Sequence, residues 1–323
     1  MGRRGLGPRP VAVAVLMVVT HVTGVFAAAS GVGYPSKPVT LVVPFAAGGT
    51  ADVVARAISG PLSNALGQNV VVVNKPGGGG VPGMLEVKGA PPDGYTILLG
   101  TVQYVTLHPT RVADLSYRDY EVIATVNLAP AALAVRKDAR WQSLEQLLDE
   151  LRARPRSVSV GTSARSGAWN IFTRLLERRW DVSFNIIEYG AGASPAVTAL
   201  AGGHIDAAMA GTPEVLAFVE SGDIRLLGVT SSKRVPLFGA VPTFDELGVS
   251  GFNMAAFHTA AVPKGTPHEI VRTLERAFLN AAHSTEYRRV IEQSAMIPVA
   301  MGREESLAFL REQEELYQTV LVE

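Results

Sequence analysis

The stretch "VTLVVPFAAGGTADVVAR", Val39 to Arg56, decides the fold class. Its first five residues are apolar enough for a strand and show no polar alternation, the pattern of a parallel strand covered on both faces. Adjacent glycines, Gly48 and Gly49, follow. An apolar stripe through Val54, Ile58, Leu62 and Leu66 then marks a helix from Asp52 to Leu66. Pro61 is expected to kink that helix or end its first part. Strand, glycine loop and helix form the opening unit of an α/β fold. Such a loop holds a cofactor phosphate in a metabolic enzyme and a carboxylate in a binding protein, and the short motif alone fits both.

Working outward, the pattern repeats. "NVVVVNKPG" reads as a strand and turn, and "GYTILLGT" as another strand whose turn is set by "PPDG". Val39–Val43, Val70–Val73 and Ile97–Leu99 all suit parallel strands covered on both faces. "AALAVRKDA", Ala131 to Ala139, is a further strand; the helix after it carries Ser143 and Gln146 at capping-box spacing. "SVSVGTSARSG" repeats the opening unit before a helix from Ala168 to Arg178, and "FNIIEYGAG" is another strand-to-loop passage before a helix at Ala196–Ala201. Near the end, Thr266, Pro267 and Glu269 are spaced as N-cap, N1 and N3 of a helix. The last helix sets Leu307, Leu310 and Leu316 toward the body and its charges toward solvent. The expected organisation is a leader over 1–29, a discontinuous first domain of 30–132 and 253–323, and a second domain of 133–252. Ligands of open parallel sheets sit beyond the carboxyl ends of the strands. Four loops meet that description: Pro44–Asp52, Lys75–Gly83, Gly161–Gly167 and Tyr189–Pro195.

The leader begins with the basic "MGRRG", runs apolar from Val11 to Val19 and ends in "VFAAAS". This is the layout of a cleavable secretory signal, with cleavage expected after Ala27 or Ala29, and it implies export to the periplasm. There is no cysteine, so the exported chain depends on its core alone. The 29 basic and 29 acidic residues cancel and are interspersed, without the basic stripe of a nucleic-acid surface. No nucleic acid, cofactor or metal is expected, and the chain is expected to be a monomer.

Enzyme motifs fail one by one. "GGGVPG", Gly78 to Gly83, follows a strand and matches G-x-G-x-x-G, but Pro82 is awkward at the helix start and no acid follows near twenty residues on. No phosphate loop of the G-x-x-x-x-G-K-[ST] type occurs. "GTSAR" lacks the final glycine of a serine nucleophile elbow, leaving Ser163 and Ser166 as hydrogen-bond donors. The histidines beyond the leader, at 108, 204, 258, 268 and 283, include no H-E-x-x-H pair. An acid–base pair would require Asp52 and Asp206 to converge on a substrate; bracing of backbone amides suits each better.

The ordered set "YPSKPVTLVVPFAAGGTADVVAR", "NKPGGGG", "PPDGYTILLG", "AGGHIDA", "VPTFDELGV" and "AAVPKGTP" resembles the exported solute receptors of tripartite tricarboxylate transporters, the TctC-like or Bordetella uptake gene family, over Tyr34 to Glu323. The resemblance implies a type II periplasmic-binding-protein fold of two α/β domains with a cleft between them. It implies no enzyme activity. The partners would be a small organic carboxylate (dicarboxylate, tricarboxylate, aromatic acid or amino acid) and the transporter's membrane subunits. It further implies that amides around Ala47–Ala51 meet one ligand carboxylate while the Gly161–Ser166 loop approaches from the other domain. Asp52 would then cap amides of its own loop. The candidate ligand-binding set is Phe45, Ala47, Gly48, Gly49, Thr50 and Ala51 in the first loop, with Gly78 and Thr101 beside it. Thr162, Ser163, Arg165, Ser166, Tyr189 and Asp206 complete it from the other side. The chain departs from the family pattern where Arg165 replaces a small residue and Trp169 a histidine, and "EYGAGASPAVTAL" is one residue longer than common forms. Arg165 either points into solvent or pairs with an acid, or else takes a second ligand carboxylate with Trp169 as an apolar wall. The same cleft would serve a sensing receptor with a signalling partner, or a hydrolase or isomerase if a catalytic pair were positioned in it.

Overall fold

Two half-sheets share one long strand. In the first, β1 (Val39–Val43) lies between β2 (Val70–Asn74) and β3 (Thr96–Gly100), all parallel. An antiparallel strand, here β9 (Ala255–Pro263), joins β3 to β4 (Tyr120–Arg136). In the second, β5 (Ser159–Ser163) lies between β6 (Asn185–Tyr189) and β7 (Ala207–Gly211), again parallel, and β7 pairs antiparallel with β4. The path runs β2-β1-β3-β9-β4-β7-β5-β6, with β8 (Ile224–Val229) and β10 (Ile297–Met301) also on β4. The computed structural model describes residues 1–2, 33–165, 167–189, 192–249 and 254–321. All but its first two residues, the expected leader lies outside the described residues. Tyr34–Glu323 forms one compact unit.

The register of β4 fixes where the strand ends point. Gly100 of β3 pairs with Thr259 of β9, which pairs with Thr125 of β4. Gly211 of β7 pairs with Ala131 of β4. Since β3 runs with β4 and β7 against it, the carboxyl ends of the two parallel sets face each other along β4. Six residues separate Thr125 from Ala131, about 20 Å at 3.3 Å per residue. Three passages of the chain meet where β4 enters the second half. The buried Thr230 hydroxyl accepts from the Ala131 N–H at 2.8 Å and donates to the Met254 carbonyl, and the Thr230 N–H donates to the Ala131 carbonyl at 2.9 Å.

Ten α-helices clothe the described sheet: α1 (Thr50–Leu66), α2 (Val81–Lys88), α3 (Gln103–Thr106), α4 (Leu144–Ala153), α5 (Ala168–Trp180), α6 (Ser194–Ala201), α7 (Thr212–Ser221), α8 (His268–His283), α9 (Thr285–Gln293) and α10 (Arg303–Leu321). None of the described helices is long and apolar enough to cross a membrane.

Several local expectations change. The helix α1 continues through Pro61, which is buried inside it. A proline costs a helix interior about 3 kcal/mol. The fully buried Val54, Ile58 and Leu62 each contribute about 1.5–3 kcal/mol, so packing outweighs the break. Pro82 fits in the first turn of α2, where its missing N–H leaves no bond broken. β2 is an edge strand with Val71 49% exposed, so only β1 and β3 of the three apolar runs are well covered. At α4, Ser143 Oγ accepts from the Gln146 N–H at 3.4 Å, but Gln146 Oε1 reaches back to the Gln142 N–H rather than closing the box. The N-cap of α8 is Pro267, and the Thr266 hydroxyl donates to the Pro263 carbonyl at 2.8 Å. On α10, Leu310 is fully buried and Leu307 and Leu316 pack on the core, as expected. Glu314 is not part of a solvated face: it is buried and takes both arms of the Arg118 guanidinium at 2.5 and 2.6 Å.

Candidate ligand-binding site

All four glycine-containing loops leave carboxyl ends of parallel strands and so open toward the middle of β4. The first loop follows β1. Gly48 has φ +82, a left-handed conformation that strains any residue with a Cβ. Gly49 has φ −78 and is the N-cap of α1, with no side-chain cap. The opening amides of a helix have no intrahelical acceptor, and the helix dipole adds positive charge there. Thr50 and Ala51 occupy those positions, beneath the exposed backbone of Ala47–Gly49. The result is a helix opening whose backbone N–H groups carry partial positive charge.

Asp52 braces this loop. Its Oδ2 accepts from the Gly48 N–H at 2.9 Å and from Arg56 Nε at 2.9 Å. Burial acts to raise its pKa, but the bonds from Arg56, Gly48 and Asn74 win and hold the carboxyl below the usual aspartate range. Asn74, at the end of β2, also donates to the Phe45 carbonyl at 3.1 Å. Phe45 is half-buried, and a Cβ on Gly80 would lie 3.4 Å from its ring, so the second glycine loop rests directly on the first. Gly78 is exposed in that second loop and Thr101 is buried just beyond β3.

In the second half, Thr162 is fully buried with no partner for its hydroxyl among the described residues. Ser163 is engaged structurally: its Oγ accepts from the Asn170 N–H and its carbonyl from Asn170 Nδ2, both at 3.3 Å, fixing the start of α5. Arg165 is exposed; Ser166 lies outside the described residues. Tyr189 is half-buried at the end of β6, its ring 3.2 Å from where Gly161 would carry a Cβ.

Asp206 does not join them. It precedes β7, at the amino end of the strand, and its Oδ2 accepts from the Ser159 N–H at 2.8 Å and the Ser159 hydroxyl at 2.5 Å. That is the opposite end of the sheet from the loops. Asp206 ties β7 to β5, and no Asp52–Asp206 pair forms. His258 is buried, hydrogen-bonded through Nδ1 to Asn127 Oδ1 at 3.0 Å, and burial lowers its pKa to about 3, so it is neutral.

The sequence reading missed Glu214. It is the third residue of α7, and its Oε2 accepts from the N–H of the N-cap, Gly211, at 2.6 Å. Burial pushes its carboxyl up to about 7, against the Gly211 and Ala193 amides and the Trp169 side chain, which favour the ionised form. Gly211 must lack a side chain here: a Cβ would lie 2.7 Å from Trp169 Cζ2 and 3.0 Å from Glu214 Oε2. The signal was available in "GTPE", Gly211 to Glu214, a small N-cap with proline and then glutamate at the spacing of a capping box.

Parallel half-sheets whose carboxyl ends face each other, with glycine loops and helix openings there, are the arrangement in which open α/β sheets hold ligands. Residues 54–322 match the family described as the tripartite tricarboxylate transporter family receptor, TctC. The chain belongs to that family and is a solute-binding receptor. It is 31% identical to Protein BugT of Bordetella pertussis over 304 residues, covering 93% of each chain. Among solved structures it is similar to a Polaromonas TctC solute-binding protein (TM-score 0.76, 32% identity, covering 89% of this chain and 99% of that one). It is also similar to an R. palustris protein with adipate (TM-score 0.78, 30% identity, 89% and 97%) and to MatC from Rhodopseudomonas palustris with bound malate (TM-score 0.76, 26% identity, 89% and 100%).

Proposed function

We infer that this chain is exported to the periplasm, binds a small organic carboxylate reversibly between two lobes, and delivers it to the membrane subunits of a tripartite tricarboxylate-type transporter. The lobes are residues 30–132 with 253–323, and 133–252. The observation that carries this reading is the convergence of both sets of strand ends on the middle of β4, with the Gly48–Ala51 seat on one side. Malate and adipate in the neighbours support a carboxylate as ligand. The basic and apolar leader supports export.

A thermal-shift screen of organic anions followed by calorimetry tests the ligand class. Replacing Gly49 with valine tests the seat. A Cβ at Gly49 would come no closer than 3.4 Å to its nearest neighbour, the Ala46 carbonyl, so the fold accepts the change. The valine methyls would stand over the Thr50 and Ala51 amides. Affinity is expected to fall at least about tenfold, or about 1.4 kcal/mol, with an unchanged circular dichroism spectrum. Full affinity in a folded Gly49→Val protein would remove this loop from the site.

A further inference from the structure

Three helices open on the facing end of the second half-sheet: α5 at Ala168, α6 at Ser194 and α7 at Thr212. Their first amides are the counterpart of the seat at Thr50–Ala51. In a cleft that binds acids, they are where a second negative group of the ligand would settle. Here a side chain has taken the place. Glu214 holds the Gly211 N–H at 2.6 Å, and the Ala193 amide and Trp169 side chain also interact with its carboxylate. Gly211 has no room for a Cβ between Trp169 and Glu214, so the three are packed as a unit. Among the described residues no lysine or arginine forms an ion pair with Glu214.

We propose that Glu214 sets the ligand class of this receptor: its carboxylate holds the Gly211 amide at the facing end of the second half, so the cleft takes acids with one carboxylate and discriminates against a second carboxylate at the far end. This rests on the receptor reading above and names its substrate class. A like charge in one site disfavours ionisation of both groups, so a diacid must either meet a carboxylate or carry a proton with it. Trp169 adds an apolar surface beside Glu214, suited to the uncharged body of a monoacid. The expectation from sequence that Arg165 takes a second carboxylate points the other way. Arg165, however, is exposed and would have to be ordered before it could hold a ligand, whereas Glu214 is already fixed by its backbone bond.

Calorimetry on the full chain at about pH 8.5, with Glu214 ionised, decides the matter. The probes are matched pairs of equal length, succinate with succinamate and adipate with adipamate, in which one carboxylate becomes a carboxamide. The wild-type protein is expected to bind a half-amide at least about tenfold more tightly than its diacid. Glu214→Gln is expected to bring the two within about threefold, chiefly by gaining affinity for the diacid, and Arg165→Ala to leave the wild-type ratio in place. A wild-type preference for the diacid overturns the assignment, as does an unchanged ratio in Glu214→Gln. If that variant does not fold by circular dichroism, the wild-type ratio decides alone. Binding of no monoacid or diacid by the wild-type protein overturns the receptor reading itself, and this assignment with it.

Discussion

Asp52 and Glu214 hold the same local post in opposite halves of the molecule. Each is the third residue of a helix that follows a parallel strand through a glycine N-cap, and each accepts a backbone N–H from a glycine at or just before that cap. Their protonation behaviour diverges. Asp52 has Arg56 one turn along, Nε to Oδ2 at 2.9 Å, and its carboxyl titrates below the usual range despite burial. Glu214 has amides and an indole but, among the described residues, no ion pair, and burial carries it to about 7. The amides of a helix opening are thus insufficient to keep a buried carboxylate acidic; a full positive charge within bonding distance decides the sign. One acid is therefore a permanent brace, and the other a group whose charge depends on what lies beside it.

The largest test of this contrast is the pH dependence of stability. A carboxyl whose folded pKa is raised from 4.5 to about 7 binds its proton more tightly when folded. Its contribution is therefore full below the unfolded value and is lost as pH rises through the window from about 4.5 to 7. At 1.36 kcal/mol per unit the loss is of order 3 kcal/mol. Glu214→Gln is expected to flatten that part of the denaturation profile, measured by urea unfolding at a series of pH values. An unaltered profile would place the raised acid elsewhere.

The next effect belongs to Asp52. Asp52→Asn removes the charge that binds Gly48 and Arg56, and at the scale of hydrogen bonds to charged groups it is expected to destabilise by about 2 kcal/mol at neutral pH. Since the folded value is depressed, the contribution of Asp52 is present above the ordinary range near 4 and is lost only as pH falls through the depressed value. The wild-type and variant curves should accordingly converge in strong acid. The smallest effect is that of Arg56→Ala, because Arg56 is exposed and exposed pairs contribute little. Its expected signature is a rise in the Asp52 titration midpoint, followed by NMR, with little change in melting temperature. An Asp52 midpoint that stays low without Arg56 would show that the amides alone suffice, and would break the comparison.

How much of this could be read from the chain follows a physical divide. Where function uses local backbone, the sequence is explicit. Val39–Val43 followed by Gly48–Gly49 gives strand, loop and helix opening together, because φ preference and periodicity are properties of neighbouring residues. Where a position depends on distant partners, it is silent. β4 was visible only from Ala131 onward, since Asn127 and Pro130 interrupt its pattern; its 17-residue length is imposed by the strands that pair along it. Glu314 looked like one of many surface charges until Arg118 arrived from nearly two hundred residues away. Asp206 has the right chemistry for a site, but register places it at the wrong end of β7. Glu214 was overlooked for the opposite reason: its capping pattern was legible, but the company of Trp169 and Ala193 was not.

The meeting of three passages of chain at Thr230 gives the second half the character of a cassette. Residue 131 leads in, residue 230 follows the strand paired beside it, and residue 254 begins the return to the first half, all fastened through one hydroxyl and one backbone pair. The halves touch elsewhere too: Phe172 of α5 stacks on Tyr317 of α10, with ring centroids 6.0 Å apart. Changes in the loops around Trp169 and Glu214 therefore alter the second half within a frame held at both places, while the backbone at Gly48–Ala51 belongs to the first half and keeps its own support from Asp52. A chain fastened in this way can vary the loops of one half without re-threading the other.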